Sequence, residues 1–273
     1  MKTILFPTDF SPASTNALHY AAALAQDIHA ALMIVHVFQI PVSMTDVPGA
    51  AITIDEIEAQ TENQLEQLQH SVVNIFPHIQ KVFTLATMGN ITDELKDLSE
   101  HIQPFALVMG SHGNSGLEKF LMGSTTLSSI RNIKFPIFVI PPGVHYKKIE
   151  KIGLACDMEE VANALPLEKI NSILEALHGK LYVLNVSDQP SAENSTVVLE
   201  KMLSDIPHEY HFIQKEDISE AIHDFAEMNN IDLLIMIPKK YQWLELLIHK
   251  STSANLLKYS HIPLLSIKTN PAS

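Results

Sequence analysis

Several landmarks recur along this chain at a shared separation, and a chain that repeats itself in this way folds one unit twice. Met109 and Met236 close matching apolar runs, Phe105-Ala106-Leu107-Val108 and Asp232-Leu233-Leu234-Ile235, 127 residues apart. The same 127 relates Pro136 to Pro263, Ser124-Thr125 to Ser251-Thr252, and Ile91 to Ile218. Nearer the start of each half, Ile4-Leu5-Phe6-Pro7-Thr8-Asp9 is answered by Ile152-Gly153-Leu154-Ala155-Cys156-Asp157 at 148, because residues 39–54 have only a shorter counterpart later on. A tandem duplication accounts for these shared offsets. Its boundary falls in Pro141-Pro142-Gly143-Val144-His145-Tyr146, a Pro/Gly punctuation between two strands. The expected domains are residues 1–145 and 146–273, each long enough to bury a core of its own.

Within each half, short apolar runs alternate with helix-period stretches. Ile4-Leu5-Phe6, Leu32 to Val37, Val82 to Leu85, Phe105 to Met109 and Ile137 to Ile140 read as strands. Between them, Ala13 to Ile28 reads as a helix started by Ser11-Pro12, Ile54 to Phe76 as a long helix, and Thr92 to His101 as a short one capped by Thr92. Near-continuous apolar strands alternating with helices predict an α/β fold. The sheets are expected to be open and parallel, with helices on both faces.

Charge then narrows the partners. The 31 acidic side chains outnumber the 18 basic ones, for a formal charge of −13. Neither half is a basic tail, so nucleic acid and anionic membrane surfaces are poor partners. No apolar segment approaches a membrane span and no leader pattern opens the chain, so a soluble cytoplasmic protein is expected. The single cysteine, Cys156, excludes a disulfide framework and fits a reducing compartment.

Chemistry concentrates in Met109-Gly110-Ser111-His112-Gly113, followed after nine residues by Gly123-Ser124-Thr125-Thr126. This stretch begins where a strand ends, and Gly123-Ser124 opens an amphipathic segment running to about Ile133. Backbone amides at a helix start, beside Ser and Thr hydroxyls, form an anion site, and glycines let phosphate oxygens approach those amides closely. Each glycine alone also reads as a turn residue; the combination in one strand-to-helix connection favours phosphate. No G-x-x-x-x-G-K-[ST] occurs, and the first strand–helix turn, Phe6-Pro7-Thr8-Asp9-Phe10-Ser11, holds no glycine. That excludes the P-loop and the dinucleotide fingerprint.

With Gly110, Gly113, Gly123 and Ser124 the chain meets G-x2-G-x9-G-[ST] unbroken. Together with Ile4 to Ser11 and Val35-His36-Val37, it resembles the universal stress protein family in its tandem two-domain form. The resemblance covers nearly the whole chain and weakens in the second half. It implies strand order 3-2-1-4-5 in each unit, with ATP or a related adenine nucleotide, with or without Mg, at the carboxyl ends of strands 1 and 4. Carried over by position, Asp9 would accept from the ribose hydroxyls, or else serve only as a helix N-terminal carboxylate. Val37 would meet adenine through its backbone, with Pro7 and Thr8 on the same wall. Gly110, His112 and Gly113 would lie along ribose and phosphates, and Gly123, Ser124, Thr125 and Thr126 would cradle the phosphates by amide and hydroxyl. His112 is read as a binding residue rather than a general base, since no partner carboxylate accompanies it.

At the 127 offset the second half replaces Gly110, Gly113 and Gly123 by Ile237, Lys240 and Lys250, with Pro238 in the same loop. This reads as a unit that kept the fold and lost the ligand; the alternative is another anion held by Lys239, Lys240 and Lys250. His208-Glu209-Tyr210-His211 lacks helical ligand spacing and sits beside a strand-like run, so no metal site is expected there. Tyr241 and Trp243 could cover an apolar patch at a domain contact. The last strands, Ile137 to Ile140 and Ile262 to Ile267, are apolar enough to be aggregation hazards unless paired, so they are expected to face each other within the chain. A homodimer of whole chains is compatible with this pattern. The leading function is a nucleotide-binding regulatory or protective stress protein rather than an enzyme. A slow ATP hydrolase and a nucleotide-free interaction module are the alternatives.

Overall fold

A computed structural model describes residues 1–39, 53–111, 122–156, 165–187, 201, 203–215, 217–237 and 261–269. The first half runs β1 (Thr3–Pro7), α1 (Pro12–Asp27), β2 (Ala31–Phe38), α2 (Ile54–Ile75), β3 (Val82–Met88), α3 (Ile91–Ile102), β4 (Ala106–Gly110), α4 (Ser124–Asn132) and β5 (Ile137–Ile140). The second half runs β6 (Lys151–Cys156), α5 (Leu167–Leu177), β7 (Lys180–Ser187), β8 (His208–Gln214), α6 (Ile218–Asn229), β9 (Leu233–Met236) and β10 (Leu264–Ser266).

Local chemistry sets the helix starts. Ser11 caps α1 by accepting from the Ser14 N–H, with Pro12 in the first turn where its missing donor costs nothing. Thr53 and Glu56 close a reciprocal capping box on α2. Thr92 is not the cap of α3. Asn90 is, its side chain accepting from the N–H groups of Thr92 and Asp93. Asn caps at least as well as Thr, and a start at Asn90 brings Ile91 into the first turn, where it packs on the core.

All ten strands join one mixed, mostly parallel sheet in the order β3-β2-β1-β4-β5-β10-β9-β6-β7-β8. The two tandem sets of strands are thus continuous with each other through the β5–β10 pair, as the apolar last strands led one to expect. The first five strands lie 3-2-1-4-5, and the last five repeat that order counted from β6. The duplication holds in register as well. β1 meets β4 at Ile4↔Ala106, and β6 meets β9 at Ile152↔Leu233, the same pairs displaced by 148 and 127. β4 meets β5 at Leu107↔Ile137, and β9 meets β10 at Leu234↔Leu264, both displaced by 127.

β5 and β10 pair antiparallel, Phe138 opposite Leu265 and Val139 opposite Leu264. Like edge meets like edge, so each satisfies the other's open row of N–H and C=O groups. Side chains alternate between two buried layers. Ile4, Phe6, Val108, Phe138 and Leu265 face α1, α2 and α5, while Leu5, Leu107, Met109, Ile137 and Leu264 face α3, α4 and α6. Burial on both faces is the reason these strands are apolar at nearly every position.

Segment 141–150 is held at both of its ends. The Asn16 side-chain amide donates to the Val144 carbonyl at 3.2 Å, and the Tyr146 hydroxyl donates to Asp27 at 2.6 Å. Asp232 accepts from the N–H groups of Glu150 and Lys151 and pairs with Lys147 at 2.7 Å. Burial by itself would raise the Asp232 carboxyl; those partners outweigh it and leave the carboxyl below its usual range.

His208-Glu209-Tyr210-His211 lies within β8 rather than beside a strand. Cys156 closes β6, while Asp157, Pro238, Tyr241, Trp243 and the second-half lysines 239, 240 and 250 fall outside the described residues. Among the described residues no helix is long and apolar enough to cross a membrane.

Candidate functional site

After β1 the chain turns to β2 on one side, and after β4 it turns to β5 on the other. The carboxyl ends of β1 and β4 are therefore left uncovered at a topological switch point, where open α/β sheets hold their ligands. A cavity of about 640 Å³ opens there. Its floor is made by Pro7, Thr8 and Asp9 after β1 and by Met109 and Gly110 ending β4. One wall is the end of β2, His36 to Gln39, with Gly89 and Ile91 of the β3–α3 turn behind it. The opposite rim is Gly123, Ser124, Thr125 and Thr126.

The β1–α1 turn is built by its own polar side chains. Thr8 N–H donates to Val35 O at 2.8 Å, and the Thr8 hydroxyl accepts from Phe10 N–H at 3.0 Å and meets the Ser14 hydroxyl at 3.0 Å. Asp9 Oδ1 accepts from Ser11 N–H at 3.0 Å. Between them Phe10 takes φ 58, the left-handed region. For a bulky residue that costs roughly 1–2 kcal/mol, offset here by this set of short-range hydrogen bonds. The result puts the exposed Asp9 carboxylate at the cavity.

On the opposite rim, Gly123 is the N-cap of α4 and supplies no side-chain hydrogen bond. Its φ of −60 suits any residue, so the backbone does not demand glycine. Gly123 N–H is already spent on Ser111 O at 2.7 Å, which ties the loop's far end to the start of the helix. The amides of Ser124, Thr125 and Thr126 follow as the first-turn donors that a helix cannot satisfy internally. The Thr126 hydroxyl donates to Gly110 O at 2.9 Å, so the contribution of Thr126 to the cavity is its amide. An anion at this rim would meet helix-dipole and amide attraction together.

Nine of the eleven residues read from the sequence as site residues line this one cavity: Pro7, Thr8, Asp9, Val37, Gly110, Gly123, Ser124, Thr125 and Thr126. His112 and Gly113 lie outside the described residues. Sequence reasoning passed over His36, which lines the cavity and whose Nδ1 lies 2.7 Å from Thr8 O. The signal was present: His36 is the one strongly polar side chain in the otherwise apolar run Ala31–Phe38.

The family model for universal stress proteins matches residues 1–141, just over half of the chain. The chain belongs to the universal stress protein family. A universal stress protein of Methanocaldococcus jannaschii is 27% identical over 152 residues, covering 51% of this chain and 94% of that protein. Universal stress protein G of Escherichia coli O157:H7 is also 27% identical, over 150 residues, covering 51% and 98%. These relatives match half of this chain each. The crystal structure of a universal stress protein from Archaeoglobus fulgidus spans both halves, covering 98% of this chain and 96% of its own, with TM-score 0.70 at 20% identity. At that identity the likeness establishes the universal stress protein fold over the full length and nothing finer.

Proposed function

We propose that this universal stress protein binds one molecule of ATP, or a related adenine nucleotide, in the cavity of its first half. It would act by binding, in a regulatory or protective stress role, rather than by turnover. The observation that carries the reading is the rim at Gly123. A helix start bare of side-chain caps faces, across a cavity large enough for a nucleotide, a carboxylate placed by the β1–α1 turn. The phosphates belong at the amides of Ser124 to Thr126, and the ribose belongs at Asp9. The base belongs against the end of β2 at Val37. No group of three or more His, Cys, Asp or Glu side chains that could hold a metal gathers among the described residues. A Mg ion enters this proposal only as a counter-ion that the phosphates carry with them.

The division into domains 1–145 and 146–273 is part of the same proposal, with the second holding no ATP. At its matched position β9 is followed by Ile237, a half-buried side chain packed on the core, where the first half has the side-chain-free Gly110. Titration of the whole chain with ATP by calorimetry should give a stoichiometry near one. Two equivalent sites would sink the proposed asymmetry, and no binding heat would sink the nucleotide reading.

Asp9→Ala should weaken ATP binding by about 1.5–3 kcal/mol, the range for hydrogen bonds to a charged group. The loss should be largest for ribonucleotides, narrowing the preference for ATP over 2′-deoxyATP. A variant that kept the full preference would remove Asp9 as the ribose reader.

A further inference from the structure

We infer that His36 is a positioning residue of the nucleotide site, a clamp that aims Asp9 at the ribose. The inference rests on the nucleotide reading above. His36 Nδ1 lies 2.7 Å from the Thr8 carbonyl oxygen. A carbonyl only accepts, so Nδ1 carries a proton and donates it. On its other flank the imidazole packs against the Phe10 ring, with centroids 4.5 Å apart. Thr8 and Phe10 are the two residues on either side of Asp9, and Phe10 is the one in left-handed backbone. One side chain from β2 thus holds both shoulders of the turn that carries the carboxylate. Relaxing Phe10 out of its left-handed conformation would swing Asp9 away from the cavity without disturbing the sheet beneath.

The second half supplies an independent comparison. Its β7 answers β2 at an offset of 149, Lys180 pairing with β6 as Ala31 pairs with β1. Asn185 therefore stands where His36 stands. Its side-chain amide donates at 3.3 Å to the Tyr210 hydroxyl on β8. The half that lacks the glycine motif also has no imidazole at the matched position.

The test titrates ATP and 2′-deoxyATP into the full chain, as wild type, His36→Ala and His36→Asn. If the wild type prefers ATP by about tenfold, a difference typical of one charged hydrogen bond, His36→Ala should bring that preference below about threefold. It should also leave 2′-deoxyATP affinity within about threefold of wild type. His36→Asn, whose Nδ2–H sits close to where Nδ1–H does, should restore most of the preference. In the unligated protein, the ¹⁵N shifts of His36 should show a protonated Nδ1. An equal loss for both nucleotides, an undiminished preference, or an unprotonated Nδ1 would overturn the clamp while leaving the nucleotide site standing. A wild type blind to the 2′-hydroxyl would overturn the role of Asp9, and the clamp with it.

Discussion

Gly123→Val should abolish nucleotide binding, lowering ATP affinity by about a hundredfold or more, the roughly 3 kcal/mol that separates phosphate seated on two or three amides from phosphate held off them. The reason is space. The Gly123 backbone, at φ −60 and ψ 148, is open to valine, and its N–H and C=O keep their bonds to Ser111 O and Leu127 N. What changes is the approach to the amides of Ser124 and Thr125: a branched side chain at the N-cap stands beside them at the cavity rim. Valine is also a poor N-cap, so stability should fall by up to about 1 kcal/mol, too little to unfold the chain. Far-UV circular dichroism and a thermal melt separate this small loss from the binding loss. ATP affinity unchanged in a folded variant would remove the rim from the site. Gly123→Ser is the graded control: it restores a side-chain cap, and its smaller group should cost less affinity than valine.

The sequence was legible wherever one residue's chemistry decides a local outcome. Ser11-Pro12 started α1, and the five apolar runs of the first half became strands; in the central β1, β4 and β5, burial on both faces leaves almost no polar position to blur the period. The 127-residue offset survived as a strand register, since a duplicated unit keeps its pleat or loses every core side chain to the wrong face. Asp9, about a hundred residues before Gly110 and Gly123, met them at one cavity because the strand order brings the ends of β1 and β4 together.

What escaped the sequence depends on competition or on tertiary direction. Asn90 and Thr92 both suit an N-cap, and the choice fell to the packing of Ile91, which no local rule sees. The Thr126 hydroxyl was read as a phosphate ligand, yet it is spent on Gly110 O across 16 residues, a bond that exists only once β4 and α4 are side by side. His36 was passed over because a strand residue's role depends on which turn its side chain meets. That turn, Thr8 to Phe10, lies 28 residues earlier in the chain.

Phe138→Ala should destabilise the whole chain by about 3–5 kcal/mol, the usual cost of emptying a fully buried phenylalanine site. Phe138 is completely buried and pairs with Val108 of β4 on one side and Leu265 of β10 on the other. Its neighbours of the same layer come from both halves, from Ile4 and Val108 to Leu265 and Ile267. A cavity at this point removes contacts from both halves at once, and the paired strands cannot close it without breaking register. Against a total stability of about 5–15 kcal/mol for a typical protein, that is a large fraction. The melting temperature should fall by about 10 °C at the ~2–4 °C per kcal/mol expected for a chain of this size. Phe83→Ala is the contrast: Phe83 sits on the edge strand β3 and is 43% exposed, so its loss should cost under about 1 kcal/mol. Urea unfolding followed by circular dichroism and by emission of the single tryptophan, Trp243, tells whether the damage crosses the seam. Trp243 belongs to the second half and Phe138 to the first. A common core moves both midpoints together in one transition. If the tryptophan midpoint stayed at its wild-type value while circular dichroism fell early, the halves would be folding separately, and the β5–β10 ladder would be a contact between finished units rather than part of one core.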